Sequence, residues 1–476
     1  MTRSRFGTLI AAATFFAPSP LLSAPKAYPG SLYPAAPALR AAADAAASKP
    51  PADAGSIQAV DARSFDDVIA RAIERHPLLA AEQSEAAVAR AEMRAARAAL
   101  YPRLSASVDA DYVIDRDFGA STTNVVESLR PDGQVNAGLT ASQLIFDGGG
   151  AFARIKAARA RTRERDRTIE ARINDLALRA LSVYLDAAVQ QGMAGLAAEY
   201  VARHEKLVRD MEERERLGAG ARADVLRAAA RLAAAKARAA DIAENARTAE
   251  LRYLEFFGEE PPPLAFPDHA ASGVSTREEA VALAFERDPT LAAARARTDS
   301  FRAEIGAAKG RRLPEVRANL SSVSFDVFNG AEDYDVRAGV NLNYDLFTGG
   351  GRSAEIARAK RSADRQQHEE DLIRREIERD AAIAFERQAT AKARLEALDA
   401  ALAANREARN LVAERFRASR GTLLDLIEAE NDWFEAGVRQ LSGRADRDMA
   451  SFALMEFTGD LLRRFSPRAE DRGDIR

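Results

Sequence analysis

The 476-residue chain contains no cysteine. That absence excludes disulfides, thiol catalysis, thiolate metal sites and lipidation of an N-terminal cysteine. Histidine is nearly as scarce: His76, His204, His269 and His368 stand far apart, without ligand spacing. Neither sign of charge is in excess. Net charge is only -3 although 30% of residues are charged, so no basic surface argues for a nucleic-acid partner. Long apolar runs are missing too. Beyond the N-terminal segment the longest stretch without a charge is 133–146, and fourteen residues cannot cross a bilayer as a helix. No Ser/His/Asp or metal constellation is visible, which argues against an enzyme and against a cofactor.

What the sequence does hold is a duplication. Phe146-Asp147-Gly148-Gly149-Gly150 recurs 201 residues later as Phe347-Thr348-Gly349-Gly350-Gly351. Upstream, Glu74-Arg75-His76-Pro77-Leu78 matches Glu286-Arg287-Asp288-Pro289-Thr290, and Leu100-Tyr101-Pro102 matches Arg312-Leu313-Pro314. The chain therefore reads as two copies of one unit, 61–263 and 264–465, followed by a polar tail, 466–476. Ahead of them, Arg3 and Arg5 precede an uncharged stretch, 6–17, the pattern of a secretory signal over residues 1–24. Its cleavage point stays open, because Pro25 follows the otherwise acceptable Ala24. Residues 25–60, rich in Ala and Pro, read as a disordered leader.

Within each unit the hydrophobic period changes. Helical patterning covers 65–100, interrupted near Pro77, whose ring clashes with the preceding turn. Leu104, Ala106, Val108, Ala110, Tyr112 and Ile114 then alternate with polar residues, as do Val135, Ala137, Leu139 and Ala141. The second copy has a helix over 276–312 and alternation at Val316, Ala318 and Leu320. Its last strand reads Val336, Ala338, Val340, Leu342, Tyr344 and Leu346. Strands of about 10 residues with one apolar face suit a tilted transmembrane strand, with lipid on one side and water on the other. A small half-buried sheet in a soluble protein shows the same alternation.

Long helices then follow, over 151–217 and 353–416, each roughly 100 Å at 1.5 Å per residue. Ile169, Ile173, Leu176, Ala180, Val183 and Ala187 mark a coiled-coil seam with small residues. Each helix turns at a glycine-containing tip and returns as a shorter one, 224–257 and 424–462. The returning helix spans half the outgoing one, so the pre-strand helices would cover the rest, with Pro261-Pro262-Pro263 as a mid-length link. Phe146, Asp147, Gly148 and Gly149, with Phe347, Gly349 and Gly350, form the strand-helix junctions. Their Gly-x-Gly-x-x-Ala spacing fits a loose dinucleotide fingerprint. An uninterrupted long helix follows instead of a compact βαβ unit, so the glycines serve to bend the chain.

The duplicated helix-Pro-strand-strand-(Phe-Asp-Gly-Gly)-long-helix unit resembles the TolC-like outer-membrane factor family. Arg420-Gly421-Thr422-Leu423-Leu424-Asp425-Leu426-Ile427-Glu428-Ala429-Glu430-Asn431 and Phe257-Gly258-Glu259-Glu260-Pro261 are similar to members serving type I protein secretion. The resemblance implies a mixed α/β membrane protein: a homotrimer with a 12-stranded barrel in the outer membrane above a periplasmic α-helical coiled-coil tunnel. It implies a passive duct docked to a periplasmic adaptor (a membrane fusion protein) and an inner-membrane ABC or proton-driven transporter. Type I secretion is the favoured cargo route; drug or metal efflux, or an exported helical structural protein without a pore, are the alternatives. By the same resemblance Asp425 and Glu428 match acidic positions that constrict the periplasmic aperture. Asp224 and Phe416 match the network holding it shut. Leu217, Gly218, Ala219 and Gly220, with Ser419, Arg420, Gly421 and Thr422, are the expected adaptor-docking tips. Ser419 stands where a tip glycine is usual, and Gly421 where a gate-holding Arg often occurs.

Overall fold

The computed structural model describes residues 62–115, 132–267, 273–327 and 333–466. The expected signal, leader and polar tail lie outside these residues. Helix α1 (Ala62–Arg75) breaks at His76, and α2 (Pro77–Ala98) restarts with Pro77 in its first turn. There the missing N–H costs nothing. The His76 Nδ1 caps α2 by accepting from the Leu78 amide at 3.2 Å. The second copy repeats this device. The single helix expected over 276–312 is two, α5 (Arg277–Arg287) and α6 (Pro289–Gly310), and the Asp288 carboxylate caps α6 by accepting from Leu291 N.

Strands β1 (Arg103–Tyr112), β2 (Gly133–Phe146), β3 (Glu315–Ser324) and β4 (Tyr334–Asn343) form one antiparallel sheet in that order. Two strand ends differ from expectation. Ile114 falls beyond β1, whose pairing stops at Tyr112 opposite Gly133. Tyr344 and Leu346 fall beyond β4, because β3 begins at Glu315, opposite Asn343, and Pro314 before it has no N–H to donate. Strand β2 is longer than ten residues because its two partners are offset, β1 pairing with 133–142 and β3 with 137–146. A bulge at Ile145 lets Phe146 still face Val316.

The register separates two faces, one mostly apolar and one mostly polar. Leu104, Ala141, Leu320 and Ala338 lie in one row, and Ala106, Leu139, Ser322 and Val336 in another on the same face. Ser105, Thr140, Ser321 and Arg337 fill the opposite face, where Val323 is an apolar exception. Gln143 lies on the apolar side at the helical end, where its Nε2 donates to the Leu100 and Leu144 carbonyls. Among the described residues, strands β1 and β4 are unpaired edges of this sheet. The apolar face is bare: Leu104, Val108, Val340 and Leu342 are all exposed. A sheet of this kind is finished only when its edges are paired and its apolar face meets lipid.

After each hairpin the backbone turns sharply. Gly148 (φ +66°) and Gly149 (φ +81°) take left-handed conformations, as do Gly349 and Gly350. At Gly148 space adds a second demand, because a Cβ there would sit 2.6 Å from the Gly310 carbonyl. The long helices α3 (Gly150–Arg216) and α7 (Gly351–Arg417) have 67 residues each, and their returns α4 (Arg222–Phe257) and α8 (Leu423–Thr458) have 36 each. The return in the second copy is interrupted at Gly459 (φ +74°), after which a short α9 (Asp460–Phe465) follows.

Helix α3 packs against α2, α4, α6 and α8. The seam residues Ile169, Ile173, Leu176, Ala180 and Ala187 are buried and Val183 half-buried. Four partners bury a second stripe as well, including Ala177, Leu181, Leu185 and Ala188. The short helices stack end to end along α3 and α7. His76 on the first stack meets Phe256 at 5.2 Å between rings, and Arg287 donates to the Thr458 carbonyl at 3.1 Å on the second. The proline-rich link crosses α3 at mid-length, where Tyr184 Oη donates to the Ala265 carbonyl and Gln191 Nε2 to that of Pro262. Phe65, Tyr184, Phe452 and Phe465 form the aromatic centre of this level. Among the described residues no helix is long and apolar enough to cross a membrane, which says nothing of a barrel.

Candidate functional site

The two helical tips are built alike. In the first, Ala219 N donates to the Arg214 carbonyl and Gly218 N to that of Glu215; in the second, Arg420 N donates to Arg415 and Ser419 N to Phe416. This is the pair of bonds that closes a helix through one left-handed residue. Gly218 (φ +74°) holds that place in the first tip and Ser419 (φ +57°) in the second. A serine there costs about 1–2 kcal/mol more than glycine, so the second tip carries local strain. Leu217, Ala219, Ser419 and Arg420 are exposed. Gly220 and Gly421 instead lie close to the preceding helix end. A Cβ on Gly220 would be 3.1 Å from Glu215 N, and one on Gly421 3.3 Å from Phe416 N.

The return helices begin differently. Thr422 caps α8 through a reciprocal box: Asp425 N donates to Thr422 Oγ1 at 3.1 Å, and Thr422 N to Asp425 Oδ2 at 3.3 Å. Helix α4 begins at Ala221 with no side-chain cap. Its Asp224 pairs with Arg227 on the same helix at 3.7 Å. Asp425 and Glu428 are exposed and three residues apart, so they share one face of α8. Phe416 is buried with Leu207, Met211 and Val225 of the first copy and Leu426 and Ile427 of its own. Arg214 lies over its ring at 4.5 Å and donates to its carbonyl at 3.2 Å. The structure thus brings Phe416 into a contact between the two copies, while Asp224 stays on its own helix.

Deeper in the bundle lies a constellation that the sequence alone does not disclose. Trp433 on α8 has the guanidinium of Arg203 (α3) 4.9 Å and that of Arg409 (α7) 5.0 Å from its ring centroid. Such contacts contribute from about 0.5–1 kcal/mol when exposed to about 2 when desolvated. Arg409 and Glu430 are both buried, 3.9 Å apart. Burial pushes the Glu430 carboxyl above its ordinary range, against the pull of Arg203 and Arg409, and holds the Arg409 guanidinium below its own. Beside them Tyr200 stacks on Phe434 at 4.5 Å, worth about 0.5–1.5 kcal/mol beyond burial. Trp433 is the one tryptophan of the chain. That was a signal, but its partners come from helices far apart in sequence.

Among the described residues no group of carboxylates and histidines could hold a metal ion. The chemistry on offer is a two-faced sheet, a helical shaft and charged tips. The sequence profile described as outer membrane efflux protein matches residues 68–258 and 280–460. The chain is 25% identical over 325 residues to the outer membrane efflux protein BepC of Brucella suis, covering 68% of this chain and 71% of that one. It is 28% identical over 386 residues to protein CyaE of Bordetella pertussis, covering 78% and 79%. The CmeC outer membrane channel of Campylobacter jejuni superposes with a TM-score of 0.72 at 14% identity, covering 85% of this chain and 89% of that one. The fold is therefore that of the trimeric barrel-and-tunnel channels, in which each chain supplies a duplicated strand hairpin and long-helix unit. With most of its length matched, the chain belongs to the outer membrane efflux protein family: an outer-membrane channel with a helical periplasmic tunnel, and not an enzyme.

Proposed function

We propose that this chain is the passive outer-membrane duct of a tripartite exporter, with type I protein secretion as its route. The observation that carries the duct is the sheet: a bare apolar face and two unpaired edges, joined to helices of 67 residues. Three copies close that sheet into a barrel, and the helices continue its wall below the membrane. The Gly148 and Gly349 junctions bend the backbone and lead straight into long helices, which fits a passive wall. An inner-membrane transporter, ATP-driven or proton-driven, supplies the energy, bridged by a periplasmic adaptor. The segment 420–431 favours secretion of protein; drug or metal efflux is the second reading, in line with the word efflux in the name of the BepC relative.

The tips are the proposed docking surface, being small, exposed and furthest from the sheet. Gly218 is a poor test position because any side chain at φ +74° is strained. Leu217→Glu and Ala219→Glu avoid that difficulty. Each is expected to abolish export in cells while leaving trimer abundance in the outer membrane unchanged. Normal export, with undiminished crosslinking to the adaptor, would place docking elsewhere.

A further inference from the structure

Directly below the sheet, α2, α3, α6 and α7 stand side by side in that order. Glu92, Arg154, Glu304 and Glu355, one from each helix, line a single cleft. Four neighbouring helices border one cleft only on the concave side of the layer they form. In a closed tunnel that side is the inner wall, and its charges largely cancel. Arg161 pairs with Glu304, Arg311 with Glu355 at 3.4 Å and Arg154 with Asp147 at 2.9 Å.

The convex side is different. At 3.6 residues per turn, Arg94 and Arg97 stand opposite Glu92, and Lys156 and Arg159 opposite Arg154. Lys309 stands opposite Glu304 in the same way, and Lys360 opposite Glu355. All six are exposed, and among the described residues they form no ion pair. The acidic groups of the same stripe are already engaged: Asp166 with Arg90 at 2.8 Å, Asp299 with Arg163 at 3.4 Å and Asp364 with Arg361 at 3.3 Å. A chain of net charge -3 thus carries a strongly basic outer collar at one level. The shaft itself does not require it. In the second copy Lys156 becomes Ala357, Arg163 becomes Asp364 and Arg94 becomes Gly306, so the collar is densest on α2 and α3.

We propose that this collar binds the anionic phospholipid headgroups of the periplasmic leaflet. Tyr101 and Phe152, both exposed, lie where the bare apolar face of the sheet gives way to helix, the level of an interfacial aromatic belt. Arg97 and Lys309 stand in the last turns of α2 and α6, beside that belt. Lys156 and Arg159 follow about 9 Å and about 14 Å below the start of α3. Long basic side chains reach upward across such gaps, and their attraction extends a further 8 Å or about that at physiological salt. Basic clusters beside a membrane hold anionic lipid in this way. The charge gathers at the membrane end of the shaft and follows the lipid-facing surface, which favours lipid over a partner in the open periplasm.

The test counts lipids on the intact trimer. Purified protein is mixed in detergent with equal amounts of phosphatidylglycerol and phosphatidylcholine, and the lipids retained per trimer are read by native mass spectrometry. The unmodified protein should retain phosphatidylglycerol about tenfold over phosphatidylcholine, a preference that high salt removes. Combining Arg97→Gln, Lys156→Gln, Arg159→Gln and Lys309→Gln should abolish the preference and leave the heat-resistant trimer unchanged. Arg161→Gln with Arg311→Gln and Arg358→Gln, in the cleft, should keep it. If the collar variant does not assemble, Lys156→Glu alone should lower the preference in the same direction. No preference in the unmodified protein, or equal loss in the collar and cleft variants, overturns the proposal. So does a collar variant that keeps its lipids but no longer sediments with purified peptidoglycan, since the collar would then grip the cell wall instead.

Discussion

Val340→Arg, and to a lesser degree Leu342→Arg, should prevent formation of a heat-resistant trimer. Both residues are exposed on the apolar face, Val340 in the row of Ala318 and Leu342 in that of Val316. An arginine on the lipid side costs about 2–4 kcal/mol near the midplane, falling toward the interfaces. Three copies incur it together, roughly 6–12 kcal/mol for the assembly. That is comparable with the whole stability of an ordinary domain, about 5–15 kcal/mol. Asn341→Arg, one residue away, points to the opposite face beside Arg317. It should assemble normally and lower cation selectivity, because its charge meets water and another guanidinium. Heat-modified mobility on gels and reversal potentials separate the three variants. Equal tolerance at 340 and 341 would reverse the assigned faces.

The second large effect concerns the mouth of the tunnel. Three copies each of Asp425 and Glu428 would set six carboxylates around one ring, a concentration of negative charge that draws multivalent cations. The resting channel should therefore be cation-selective and blocked by divalent and trivalent ions from the periplasmic side. Removing both charges should weaken the block about tenfold or more, since a unit charge pair at 4 Å contributes about 1 kcal/mol even in water. Asp425→Ala carries a complication, because this carboxylate also completes the Thr422 cap. Losing such a cap costs about 0.5–2 kcal/mol. Asp425→Asn with Glu428→Gln keeps the hydrogen-bonding groups and removes only charge. Single-channel recordings of this variant and the double alanine should agree on the block. Identical blocking constants in wild type and variants would remove both residues from the gate.

Much of the architecture is legible in the sequence because it rests on short-range rules. Alternation at Leu104, Ala106 and Val108, and at Val336, Ala338 and Val340, assigns the faces that the register joins into rows. Strand ends are less legible, because a strand runs only as far as its partner. Leu346 continues the alternation but lies past the start of β3. The break at Asp288-Pro289 was visible as the counterpart of His76-Pro77, yet the alanine-rich pattern runs through it and reads as one helix. The second buried stripe of α3, with Leu181 and Leu185, depends on how many helices surround it, which periodicity along one helix does not encode. The aperture is the extreme case. Asp425 and Glu428 lie on one exposed face of α8, and the proposed ring of them would need three copies rather than any contact within the chain.

Reconstituting the purified protein in planar bilayers distinguishes a duct from an exported helical spacer. A duct gives discrete, cation-selective conductance steps from a trimer that resists heat in detergent. A protein that runs as a single chain without heating, and adds no conductance to the membrane, would contradict the duct.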